Sequence, residues 1–252
     1  MAKESLSKRA WIKDNIVLFY GESLDVKKHQ HIALQLVWCT QKKHASCTYQ
    51  QGVLSGSFII GSGVEHILQL EEGWVLLIEP TSKLGIHITR LLKNRLALEI
   101  NDIIEPCCTP CEPIKDPLDF ISVLFESLNV ECDIDVDTAK VSDKRIVGLL
   151  KKMDLCLLGQ CQTPANWRAS DVAAELFLSE SRFLHLFKSQ VGVAWRPYLR
   201  WRRLKCASNS ISQGASATEA AYHAGFSDLA HLSRTFQTMF GLTIAEAKKK
   251  FL

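Results

Sequence analysis

SDLAHLSRTFQTMFG, residues 227–241, follows a Gly225-Phe226 pair, and its reading decides the C-terminal fold. At about 100° per residue, Leu229, Leu232, Phe236, Met239 and Phe240 share one face of a helix, and Ala230, His231, Arg234, Gln237 and Thr238 share the other. A single amphipathic helix of this kind is more often core than reader, because every helical domain contains some. Repetition gives this one more weight. In SATEAAYHAGFSDLAHLSRTFQTMFG, Ser216 or Thr218 caps a helix that runs through Ala224, Gly225 supplies the turn, and a second helix begins at Ser227. Upstream, ASDVAAELFLSESRFLHLFKSQVG repeats the arrangement. A helix from Ser170 runs to about Leu176, the chain breaks at Phe177–Leu178, and Ser179 caps a helix of about eleven residues. That helix carries Phe183, Leu186 and Phe187 on one face and Ser181, Leu184, His185 and Lys188 on the other. Small residues (Ala173, Ala174, Ala220, Ala221) stand where paired helices must approach closely.

WRPYLRWRRLKCASNSI lies between the two units. As a helix from Trp195 to about Asn209 it is ~22 Å long, with Arg200, Arg202, Arg203 and Lys205 giving it dense positive charge. A rigid element of that length could hold two second helices about one DNA turn, ~34 Å, apart. The charge is uneven across the chain. Residues 167–252 hold 12 Lys and Arg against 6 Asp and Glu, while the first 166 hold 18 against 21. A basic C-terminal third on a mildly acidic remainder points to a polyanion-binding module carried by something else.

From about Ser142 to Leu252 these residues resemble the AraC/XylS family of bacterial transcription regulators. The match is carried by LSESRFLHLFKSQVG, the YLRWRRLKCA connector and AGFSDLAHLSRTFQTMFG. The resemblance implies two helix-turn-helix subdomains (169–190 and 216–240) on a long helix, reading successive major-groove segments of promoter DNA with helices 179–190 and 227–239. It implies base-facing roles for Ser181, Leu184 and His185, and for Leu229, Ala230, Ser233 and Arg234. Lys188, Arg200, Arg202 and Arg203 are candidates for phosphate contacts, which position without reading. Two departures stand out. Phe177 occupies the place of a customary turn glycine, which predicts a less tight first turn, and a customary proline is missing from GLTIAEAKK.

Up to about residue 105 the signals are those of strands. NIVLFY, ALQLVW, SGSFIIGSG, HILQLE, GWVLLIEP and LGIHITRLL are short, rich in β-branched and aromatic residues, and separated by breaks. This half resembles the cupin-like barrels that precede the DNA-binding domain in many family members. The expected fold class is therefore α+β: a cupin-like antiparallel β-barrel over 1–105, a linker and interdomain or dimerisation helix over 106–141, and an all-α double helix-turn-helix domain over 142–252. HQHIALQ has the spacing of the first cupin metal motif with Gln35 in the usual Glu place, and GSGVEH places Gly63 and His66 as in the second. His29, His31, Gln35, Trp38 and His66 are accordingly placed in an effector pocket, with Trp74 and His87 as further lining. No metal or other cofactor is expected, although three imidazoles and an amide could bind a divalent ion.

The expected protein is a transcription regulator rather than an enzyme, an activator responding to a small-molecule effector, with promoter DNA, RNA polymerase and a second copy of the chain as partners. A cupin-type metal-dependent enzyme with an accessory helical domain is the alternative. Apolar runs such as WVLLI fall far short of the ~18 residues a membrane span needs, and MAKESLSKRAWIKD lacks the apolar core of an export signal, so a cytoplasmic location is expected. Nine cysteines, an odd number in a long chain, do not suggest a disulfide framework. Cys107, Cys108 and Cys111 form one compact group without a paired second half, and read as reduced thiols in a linker rather than a zinc site.

Overall fold

The computed structural model describes residues 10–13, 15–41, 43–105, 117–129, 141–155 and 167–251. The cysteine group at 107, 108 and 111 lies outside these residues. The strands are β1 (Ala10–Ile12), β2 (Ile16–His29), β3 (Leu34–Cys39), β4 (Ala45–Tyr49), β5 (Gly52–Ser55), β6 (Phe58–Ile60), β7 (His66–Ile78) and β8 (Ala97–Glu99). The helices are α1 (Lys83–Leu92), α2 (Pro117–Ser127), α3 (Lys144–Leu155), α4 (Ala169–Glu175), α5 (Glu180–Val191), α6 (Trp195–Ser212), α7 (Ala217–His223), α8 (Leu229–Phe240) and α9 (Ile244–Phe251). The chain divides into two compact units, one of residues 1–135 with 237–252 and one of residues 136–236. Among the described residues no helix is long and apolar enough to cross a membrane.

The first unit is built on the long antiparallel pair of β2 and β7. One edge of β7 takes β2; the other is shared, with β3 along residues 73–78 and β4 along 66–70. β6 and then β8 extend the sheet from β3, and β5 pairs with β4. The sheet is antiparallel, as the strand pattern predicts, but it is not closed into the expected barrel. The path ends in β1 and β8, three residues each and unpaired with one another, and the β4–β5 branch takes the length of β7 edge that a continuing ladder would use.

Alternation along the strands makes the core. Ile16, Leu18 and Tyr20 of β2, Leu34, Leu36 and Trp38 of β3, and Trp74, Leu76 and Ile78 of β7 bury into one cluster. Leu84, Ile88 and Leu92 complete it from α1, with Leu124, Phe125 and Leu128. LGIHITRLL is thus helix rather than the expected strand. Its β-branched residues suggested a strand, but Leu84, Ile88 and Leu92 recur every four residues, and Ser82 caps the start by accepting from the Gly85 N–H. α2 begins at Pro117, whose fixed φ and missing N–H suit the first helical position. α9 closes the unit against β2, with Phe251 and Phe19 rings 4.8 Å apart and Lys250 Nζ donating to the Ser23 carbonyl at 3.0 Å.

The second unit is helical. Trp195 and Tyr198 at the start of α6 meet Phe183 and Phe187 of α5, with ring centroids 4.9–5.3 Å apart. Such pairs add about 0.5–1.5 kcal/mol each beyond burial. Three helix starts fall one or two residues from a serine of the kind that favours a cap, at Ser142, Ser170 and Ser227. α3 is capped by Asp143, which accepts from the Arg145 N–H, while Ser142 bonds to Gln190. α4 has Arg168 at its cap position with no side-chain bond, and Ser170 lies inside the helix. α8 starts after Asp228, whose Oδ1 accepts from the His231 N–H at 2.6 Å. In each case a serine next to the true start gave the misleading signal. At α7 the cap is Ser216, one of the two candidates, rather than Thr218, and Glu219 completes a reciprocal box with it.

Candidate nucleic-acid interface

The two helix pairs share one turn. In the second pair Ala224 ends α7, Gly225 takes φ 76°, and the Phe226 N–H donates back to the Ala221 carbonyl at 2.9 Å. In the first, Leu176 ends α4, Phe177 takes φ 56°, and the Leu178 N–H donates to the Ala173 carbonyl at 2.8 Å. The first turn is therefore as tight as the second, against expectation. Phe177 adopts the left-handed backbone that glycine takes without strain, and its side chain is 95% exposed.

α5 and α8, the second helices of the pairs, each bury one face. Phe183, Phe187 and Val191 of α5 are buried, as are Leu232, Phe236 and Met239 of α8. On the opposite faces the expected base-readers Ser181, His185, Leu229, Ala230 and Arg234 are exposed, and Leu184 and Ser233 half-buried. Lys188 and Arg200 are exposed as well. Asp228, at the head of α8, is held below the usual carboxylate range mainly by the His231 N–H, so it stays charged at the positive end of the helix.

The connector carries less free charge than its sequence suggests. Arg202 is buried and its Nη2 donates to Asp154 Oδ1 at 2.6 Å, joining α6 to α3, so it cannot serve as a phosphate contact. Lys205 is 1% exposed. Arg203 is half-buried; burial lowers its pKa, and its guanidinium lies over the second turn, where a Cβ on Gly225 would stand 3.4 Å from Arg203 Nε. The helical periodicity of RWRRLK carried this information: Trp201, Leu204 and Lys205 bury together, and Arg202 turns inward with them.

In the β-rich unit His29, His31, Gln35 and His66 are buried together. His29 opposes His66 across β2 and β7. The turn at 61–64 is stitched to the loop before β3: the Gly63 N–H donates to the His31 carbonyl and Ser62 Oγ to that of Ile32. Gln35 is the ladder partner of Leu77, yet its Oε1 is 3.3 Å from His66 Nε2. An extended strand would separate residues 66 and 77 by about 36 Å. β7 therefore curls back on itself, and that curl assembles the cluster. Trp38, expected in the same pocket, is not part of it: it lies on the opposite face of β3 from Gln35, in the apolar core, with its indole N–H donated to the Glu105 carbonyl. Trp74 belongs to the same core, and His87 is half-buried on α1. Burial lowers the pKa of all three histidines, to about 3 for His29 and about 4 for His31, and leaves the rings neutral at pH 7.

Residues 172–250 match the family model of a helix-turn-helix domain. A crystal structure of an apo variant of ToxT from Vibrio cholerae is 15% identical, covers 96% of this chain and 99% of its own, and superposes with a TM-score of 0.51. Wild-type ToxT from the same organism with an unsaturated fatty acid bound gives 14% identity, coverage of 96% and 97%, and a TM-score of 0.47. The AraC-like transcriptional activator CuxR gives 15%, 86% and 83%, and 0.30. The likeness to the apo ToxT variant is one of fold: an antiparallel β-sheet region followed by a helical helix-turn-helix domain.

Proposed function

We propose that this chain, whose C-terminal third is an AraC-type helix-turn-helix domain, is a sequence-specific DNA-binding transcription regulator that reads two successive major-groove segments with α5 and α8. The observation that carries the reading is the duplicated turn. Two helix pairs with the same backbone path flank α6, and each second helix buries aromatic and aliphatic residues while exposing small and polar ones. Ser181, Leu184 and His185 then read one half-site, and Leu229, Ala230, Ser233 and Arg234 the other. Arg234 is the strongest single reader, since a guanidinium can bond both acceptors of a guanine edge. Lys188 and Arg200 anchor the backbone, and Arg203 stiffens the second turn.

The rest of the reading is that the protein is an activator which contacts RNA polymerase, binds as a homodimer, and responds to a small ligand through its β-rich unit. Support for the last part is the buried polar cluster there, which the hydrophobic core does not need. The experiment is selection of the full chain's preferred sites from a randomised duplex library. Enrichment of a site with two short conserved blocks about 10 bp apart is expected. Binding should also weaken steeply with salt. Uniform recovery of all sequences would overturn the reading.

A further inference from the structure

The head of α8 carries a short hydrogen-bond chain that ends on a ring nitrogen. Asp228 Oδ1 accepts from the His231 N–H at 2.6 Å, and Asp228 Oδ2 accepts from the Ser227 hydroxyl at 3.0 Å. Ser227 Oγ in turn lies 3.2 Å from His231 Nδ1. A hydroxyl has one proton, and here it goes to the carboxylate, which the His231 N–H and the Ser227 hydroxyl hold in its charged form. Ser227 Oγ therefore meets Nδ1 with a lone pair, so Nδ1 carries the proton of the neutral ring and Nε2 keeps the lone pair. Nε2 has no hydrogen-bond partner among the described residues. The half-buried ring is also fixed from the side, edge-to-face with buried Phe226 at 5.2 Å between centroids. Arg234 follows three residues later, on the same face of the helix.

We propose that His231 is a base-reading residue of opposite polarity to Arg234, its Nε2 accepting a hydrogen bond from the exocyclic amine of a cytosine or adenine. In the major groove the amine donors are cytosine N4 and adenine N6, whereas guanine O6 and thymine O4 are acceptors, which a ring lone pair repels. Arg234 donates and suits guanine; His231 accepts and selects an amine at a second base pair. Ser227 is the positioning residue, because its hydroxyl decides which ring nitrogen carries the proton. Without that hydroxyl the proton is free to move to Nε2, and the ring becomes a donor suited to guanine O6 or N7. The assignment rests on α8 reading the major groove.

The test uses the full chain and the randomised duplex library at about pH 8, where imidazole is neutral, with Arg234→Ala as control. The parent's preferred site should contain, besides the position that Arg234→Ala relaxes, one at which cytosine or adenine outcompetes guanine and thymine on one strand about tenfold. His231→Phe keeps a ring against Phe226 but has no nitrogen. It should lose that preference and keep the one set by Arg234. Ser227→Ala should shift the same position toward guanine. Nitrogen-15 spectra of the histidine-labelled free protein should place the His231 proton on Nδ1 in the parent and mainly on Nε2 in Ser227→Ala. If His231→Phe does not fold, Ser227→Ala and the spectra decide. Uniform recovery of all duplexes by the parent overturns this proposal together with the DNA reading it rests on. If Arg234→Ala relaxes one position while His231→Phe relaxes none, or weakens all sequences alike, this proposal alone falls. A proton on Nε2 in the parent overturns it as well.

Discussion

Phe177 and Gly225 occupy equivalent places in two copies of one turn, with φ of 56° and 76°. Left-handed backbone costs a residue with a Cβ about 1–2 kcal/mol, and an exposed Phe ring returns nothing by burial. Phe177→Gly should therefore stabilise the protein by about 1 kcal/mol, and Phe177→Ala, which keeps the Cβ, should not. Chemical denaturation of both variants checks this. Arg234 and Lys188 are both exposed cations on second helices, but their expected partners differ. Arg234→Ala should cost about 1–3 kcal/mol of DNA affinity and relax preference at one base pair. Lys188→Ala should weaken all sequences alike and lower the salt slope by about 1. Identical profiles for the two across a site library would sink the distinction. His29 and His31 make a third prediction. Their folded pKa values, about 3 and about 4, lie below the ordinary 6.5, so the unfolded chain takes up protons first as pH falls. Their contribution is complete above about pH 6.5 and fades toward pH 3–4, with a loss of about 2 kcal/mol per histidine at pH 5. Urea midpoints of chelator-stripped protein at pH 7.5 and pH 5 measure it; equal midpoints would refute it.

At the scale of elements, α6 is the clearest case of a helix whose charges divide between two tasks. Its 18 residues span about 27 Å. Arg200 faces solvent, whereas Arg202 and Lys205 are turned inward and Arg202 pairs with Asp154 of α3. Removing one partner of a largely buried ion pair strands the other, so Asp154→Ala should destabilise the helical unit by about 3 kcal/mol, and Asp154→Leu/Arg202→Leu should recover much of that. Arg200→Ala should leave stability unchanged and reduce DNA affinity. α1 makes a complementary point. LGIHITRLL has the composition of a strand, but the four-residue recurrence of Leu84, Ile88 and Leu92 and the cap at Ser82 outweigh β-branching once a sheet face needs covering.

At the scale of the whole molecule the chain forms two units, and residues 237–252, which follow the helical unit in sequence, belong to the β-rich one. The turn that follows α8 lies within the β-rich unit, where Gly241 takes φ 66° and a Cβ on it would stand 3.1 Å from His29 Nδ1.

Much of the C-terminal fold was legible in the sequence, because caps, turns and helical period are written within a few residues of where they act. The duplicated pairs and the buried faces of α5 and α8 follow from local pattern. Residues 29, 31, 35 and 66 could likewise be grouped by motif spacing, but not their mutual geometry, nor the exclusion of Trp38. Those depend on the curl of β7 and on which face of β3 each side chain takes. The same holds for Arg202, which is buried by its ion pair with Asp154, 48 residues away in the chain, and for the open sheet, whose end strands do not pair with each other. Local sequence sets periodicity and chain direction; tertiary packing alone decides which charged groups are desolvated and which strands pair, since those energies arise between residues far apart in the chain.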